Sequence, residues 1–239
     1  MLGRILILLT TTDSITLKNG DTIETGYDQF ALVEVVDQFV SEHITFDIAT
    51  HSGHVPHQDP HCLNHLPQDD KNYYRQYLET NVSMLMPKNM SLLSEEILHH
   101  YVALFIPGGY AALEEFRGSP DIAKILCHFH KHQKPIGILG AGSAALIHNE
   151  LPWPFSNYKM TCLSEDVENE LETHLLSSKL PYHVGYILEQ LGARTSFVAP
   201  LETHVVEDNE LITGQNRYSA YDFGVQFTLK VKYTLKITT

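Results

Sequence analysis

The stretch that most constrains the fold is Lys134 to Ile147, KPIGILGAGSAALI. Residues 136–139 are continuously apolar, residues 140–143 are very small, and Ala144, Ala145 and Leu146 open a helical pattern. A short apolar run that ends in small residues and passes straight into a helix is how an open parallel sheet presents a functional residue at the carboxyl edge of its strands. In the nucleophile-elbow form of this turn a Ser or Cys stands at the tip, with backbone N–H groups beside it to stabilise an oxyanion. Here the tip has no side chain that could do chemistry. The chain therefore declares its architecture more clearly than its activity.

The segments on either side repeat the same logic. Residues 4–10 read as a central strand, apolar on both faces. A polar loop with a turn at Asn19-Gly20-Asp21 follows, then a helix over 26–42 and a strand over 44–50, which together make a right-handed crossover in a parallel sheet. Residues 51–88 are irregular and rich in His, Pro, Asp and Asn, which predicts a cap insertion. A helix is expected over 90–100, with Ser91 and Ser94 as candidate caps. A strand over 101–106, ended by Pro107-Gly108-Gly109-Tyr110, comes next. Ser119-Pro120 starts a helix over 121–131. Beyond the central turn, helices over 164–176 and 181–191 and short strands over 195–198, 204–206 and 211–213 follow. The last residues, FTLKVKYTLKITT, alternate like a strand, so 228–239 reads as a tail or an extra edge strand.

Taken together this is one α/β domain over 1–239, with a mostly parallel central sheet and helices on both faces. A formal net charge of -13, with 16 Lys and Arg against 29 Asp and Glu, opposes a nucleic-acid or anionic-membrane surface. The apolar run Ile5 to Leu9 suits a core strand rather than a leader, and no segment approaches a membrane span of about 20 apolar residues. Three cysteines without a CxxC pairing suggest a reducing, cytoplasmic setting. Cys127 and Cys162 read as core thiols, and Cys62, in the polar cap, as the most exposed of the three.

Three blocks, FIPGGYAALEEFRGSPDIAKIL, KPIGILGAGSAALI and HVVEDNELITGQNRYSA, resemble the ThiJ/PfpI superfamily, and most of all its heat-inducible chaperone and glyoxalase branch. ETGY near residue 26 and the patch His57, Asp59, Pro60 add to the likeness. The resemblance implies a class I glutamine-amidotransferase-like, flavodoxin-type three-layer sandwich and a homodimer. It also implies an elbow Cys followed by His, and a Glu on the first helix that bonds the Cys. Aligned on Pro135 and on Gly142-Ser143-Ala144-Ala145-Leu146, those positions are Gly140, Ala141 and Ala31. Glu34 is acidic but lies almost one turn further along the helix. Asn216 and Arg217 depart from the branch, where Pro commonly follows the Asn.

A thiolate tuned by a helix N-terminus is what such chemistry requires, and glycine cannot supply it. Ser143 sits where a helix-capping Ser is common. Gly140, Gly142 and Ala145 match a loose dinucleotide fingerprint, without a ribose-binding acid after the next strand. What survives is a pocket, expected from Gly108, Gly109, Tyr110, Gly140, Ala141, Gly142 and Ser143 and suited to a small anion or metabolite. The leading reading is a non-catalytic binding or chaperone-like stress protein acting on small molecules or unfolded clients, with no cofactor required. The alternative is a glyoxalase, deglycase or hydrolase that uses an unrecognised nucleophile or water bound to a divalent metal such as zinc in the His-rich cap, with His54, His57, Asp59 and His61 as ligands. His128, His130 and His132 form a second group that reads as polar surface.

Overall fold

The computed structural model describes residues 3–79, 81–174, 176 and 178–238. At its centre is a seven-stranded sheet built from β1 (Arg4–Leu8), β4 (Thr45–Thr50), β5 (Lys88–Asn89), β6 (Ala103–Ile106), β7 (Ile136–Leu139), β10 (Val205–Asp208) and β11 (Leu211–Gly214). Its spatial order is β10-β11-β7-β6-β1-β4-β5. Every pair is parallel except the β10–β11 hairpin at one edge. The polar loop after β1 folds as a small hairpin of β2 (Ser14–Thr16) and β3 (Thr22–Glu24) around the expected Asn-Gly-Asp turn.

Residue alternation along β1 shows how the layers arise. Ile5 and Ile7 join one apolar cluster, and Leu6 and Leu8 join the other, on the opposite face. The first face is covered by α1 (Gln29–Ser41), α2 (Gln68–Glu79), α3 (Val82–Leu85) and α9 (Ala220–Thr238). The second carries α4 (Glu95–His99), α5 (Ala112–Glu115), α6 (Pro120–Lys131), α7 (Glu165–His174) and α8 (Val184–Gln190), with Trp153 and Phe155. A sheet buried on both faces requires strands apolar on both, and β1, β6 and β7 meet that requirement. A two-residue parallel pair, β8 (Lys159–Met160) with β9 (Arg194–Thr195), lies apart from the main sheet.

Several expectations are corrected. The chain end is not a tail or an edge strand but α9. Its Ala220, Phe223, Phe227 and Val231 are buried at helical spacing, and Lys230 and Lys232 between them produced the misleading alternation. α9 presses so close to β7 that a Cβ on Gly137 would lie 2.8 Å from the Phe223 ring. Residues 90–100 split into a 3-10 turn (Met90–Leu92), capped by Asn89 rather than Ser91, and the short α4, which Ser94 caps. Within 51–88, α2 escaped notice because only Tyr74 and Leu78 of its residues are buried. The Ser119-Pro120 start of α6 is as read, with the Ser119 hydroxyl accepting the Ile122 N–H at 3.5 Å. No helix among the described residues is long and apolar enough to cross a membrane.

Candidate functional site

β7 delivers its last residue, Leu139, to the carboxyl edge of the sheet, and the chain turns there at Gly140 with φ +49°. That is the left-handed conformation an elbow demands. A Cβ placed on Gly140 would meet nothing nearer than the Gln215 carbonyl oxygen at 3.7 Å and Asn216 Cα at 3.9 Å. A side chain would fit, and the chain has none. From Gly140 to Leu146 the backbone is a 3-10 helix rather than an α-helix opening at Ala144.

The facing wall is the turn after β6. Gly109 has φ +100°, and a Cβ there would come within 2.2 Å of the Gly26 carbonyl oxygen, so the turn is wedged against the entry to α1. The Asp28 N–H donates to the Gly108 carbonyl at 3.2 Å, which locks the two together. Asp28 is the N-cap of α1: its Oδ1 accepts the Ala31 N–H at 3.1 Å and its Oδ2 lies 3.3 Å from the Arg217 guanidinium. Burial raises the Asp28 carboxyl above the usual range even against the pull of Arg217. Arg217 also donates to the Cys62 carbonyl at 2.7 Å, tying the segment after β11 to residues 51–88.

These elements enclose a cavity of about 150 Å³ at the elbow, lined among others by Asp28, Ala31, Tyr110, Gly140, Ala141 and Arg217. Asp59, Tyr110 and Arg217 are shared with a larger cavity of about 660 Å³, whose far wall is apolar through Ile15, Ile23, Leu171 and Leu180. Burial pushes the Tyr110 hydroxyl well above its ordinary value, so it is a neutral donor. Among the described residues lining the smaller cavity there is no thiol or imidazole, and His61 is the one imidazole lining the larger.

Of the pocket residues expected from sequence, Gly108, Gly109, Tyr110, Gly140 and Ala141 line the elbow cavity, and Ala31 joins them. Gly142 and Ser143 are buried outside its lining, and the Ser143 hydroxyl donates to the Gly140 carbonyl at 2.5 Å, which turns it away from nucleophilic work. Glu34 is held by the Tyr74 hydroxyl and takes no part in the lining. Asp28 and Arg217 line the cavity as well, beyond the residues expected from sequence; Thr-Gly-Tyr-Asp ahead of an apolar helix is the capping signal the sequence offers for Asp28.

The cap histidines have separate partners. His54 bonds the Ser52 hydroxyl at 3.0 Å and His61 bonds the Asn64 amide at 3.3 Å. His57 contributes its backbone to α1's entry. Asp59 is spent on the Thr25 hydroxyl at 2.8 Å and the His61 N–H at 2.7 Å. Among the described residues these four do not form a group of close donors. Cys62, expected to be exposed, is buried, and its thiol is pushed up to about 12 by burial first and by Asp28 next. Cys162 is buried as expected, with its thiol also raised by burial, whereas Cys127 is only half-buried.

Comparison with known proteins follows the same lines. A human glutamine amidotransferase-like class 1 domain-containing protein 1 is 38% identical over 122 residues, which are 50% of this chain and 54% of that one, so the match spans about half the length of that relative. The protein/nucleic acid deglycase HchA of Pseudomonas aeruginosa is 24% identical over 231 residues, 92% of this chain and 78% of its own. In fold, the crystal structure of glyoxalase III from Candida albicans superposes with a TM-score of 0.77 at 19% identity, covering 96% of this chain and 97% of that one. The sequence model of the DJ-1/PfpI family matches residues 84–229, well over half of the protein, and takes in the Pro-Gly-Gly turn, the elbow and the segment after β11. On that match the chain belongs to the DJ-1/PfpI family.

Proposed function

We propose that this chain is a small-molecule-binding member of the DJ-1/PfpI family whose elbow carries out no thiol chemistry. One observation carries the reading: the left-handed residue at the end of β7 is Gly140, with room for a side chain that is not there. Ala141 follows it and Ala31 faces the same cavity. The chain's own thiols do not substitute, since Cys62 and Cys162 are buried and hold their protons well above neutral pH.

The pocket itself persists. Asp28, Asp59 and Glu170 line the elbow cavity against the single guanidinium of Arg217, which Asp28 already neutralises in part. That balance favours a polar but uncharged group over the small anion suggested by the turn alone. The two cavities together fall in the range of small-molecule sites, with a wall that takes an apolar body and with Tyr110 and Arg217 as donors for oxygen acceptors.

Relatives named as deglycase and glyoxalase supply the assay. Purified natural protein is expected to be inert towards methylglyoxal, and a Gly140→Cys, Ala141→His, Ala31→Glu variant is expected to gain turnover. The strain of a non-glycine residue at φ +49° costs the variant about 1–2 kcal/mol, small enough for folding. Turnover by the natural protein would overturn the reading; Cys-to-Ala replacement at positions 62, 127 and 162 would then assign it to a thiol if it is lost and to another group if it survives.

A further inference from the structure

At the opposite edge of the sheet from the elbow, three imidazoles gather at the ends of two helices. β6 and β7 are neighbouring parallel strands, with Leu104 in register with Ile136. Each is entered from a helix on the same face, α4 before β6 and α6 before β7. Both helices therefore end at the amino edge of the sheet, side by side. His99 is the last residue of α4, His128 lies in the last turn of α6, and His132 is its C-cap.

From each of the three imidazoles one nitrogen lies within 4.8 Å of the others. The ring centroids are 4.9 Å apart for His99 and His128, 4.6 Å for His99 and His132, and 4.6 Å for His128 and His132. His128 is buried, contrary to the polar-surface reading of its sequence neighbourhood, and its Nδ1 meets the Glu95 carboxylate at 2.5 Å. A carboxylate on one ring nitrogen fixes the tautomer and leaves the other nitrogen's lone pair free to ligate. His99 and His132 are exposed, so they can close the remaining distance by side-chain rotation. The C-terminus of α6 adds partial negative charge at the same point.

We infer that His99, His128 and His132 form a binding site for a borderline divalent transition ion of the Zn²⁺ type. Three neutral imidazoles and an open fourth position for water are a donor set such ions take. The site ties α4 to α6, two elements from distant parts of the sequence. Lys134 opposes it. Its ammonium lies 3.5 Å from His128 Nε2, and it also donates to the carbonyls of Leu98 at 3.3 Å and His99 at 3.1 Å. An ion at Nε2 has to displace that contact, and Lys134 still has the two carbonyls as partners.

The test is a competition titration of chelator-stripped full-length protein with Zn²⁺ against a chromophoric chelator, with Co²⁺ absorption reporting coordination geometry. One ion per chain is expected. His99→Asn with His132→Asn, both exposed positions that leave the core intact, should weaken binding at least tenfold and abolish the tetrahedral Co²⁺ spectrum. Lys134→Met should tighten binding severalfold. A His54→Asn, His57→Asn, His61→Asn variant should bind as the natural protein does. No stoichiometric binding, equal binding by the His99 and His132 double variant, or loss confined to the cap variant would each overturn the proposal.

Discussion

The elbow pocket and the α4–α6 histidine cluster sit at opposite edges of the same pair of strands, and each holds what the other lacks. At the carboxyl edge the backbone is elaborately arranged: a left-handed Gly140, a wedged Gly109 and an Asp28–Arg217 pair enclose two adjoining cavities. Yet among the described residues lining the elbow cavity there is no thiol. At the amino edge three imidazoles and a carboxylate converge from the side chains of two helices, beside a left-handed Gln133 at φ +50° just after α6. In a parallel α/β sheet the carboxyl edge creates a site through backbone geometry. The amino edge makes one only where side chains happen to meet.

The largest effect is expected at Gly109. If the backbone frame of the elbow is as tightly wedged as the 2.2 Å approach to Gly26 implies, Gly109→Val should cost roughly 4 kcal/mol or more in urea unfolding. Stability close to that of the natural protein would mean that the turn is not wedged. A smaller effect sharpens the contrast behind the elbow, at Glu168. This carboxyl is fully buried, accepts the Val184 N–H at 3.0 Å, and is raised to about 8, chiefly by burial. A raised carboxyl holds its proton in the folded chain after the unfolded chain has released it. Stability should therefore fall as pH climbs from the ordinary carboxyl value towards about 8. Glu168→Gln keeps the acceptor for Val184, should remove this slope, and should stabilise the protein above pH 8 by about 1–3 kcal/mol. An unchanged slope would assign the pH dependence to another group.

What was legible in the sequence was whatever local pattern decides. The apolar run and small turn of β7, the Pro-Gly-Gly stop after β6, the crossover from β1 to β4 and the Ser119 cap are all written in contiguous residues, and the family likeness followed from the same blocks. What was not legible depended on packing between distant segments. His128 meets Glu95 and His99 from another helix, and the Cys62 carbonyl is held by Arg217, which is 155 positions away. α9 was obscured because its lysines alternate with apolar residues, while its buried stripe, which packs on α1 and β7, keeps helical spacing. Asp28 drew no notice because its helix cap is local but its charge partner is not.

Native-state alkylation with iodoacetamide near neutral pH, followed by intact mass, tests most directly whether the elbow is without a reactive thiol. The natural protein should show at most slow modification at the half-buried Cys127, while a Gly140→Cys, Ala31→Glu variant should take up one label per chain quickly. Rapid, stoichiometric labelling of Cys62 or Cys162 in the natural protein would place a reactive thiolate in the folded chain and contradict the account.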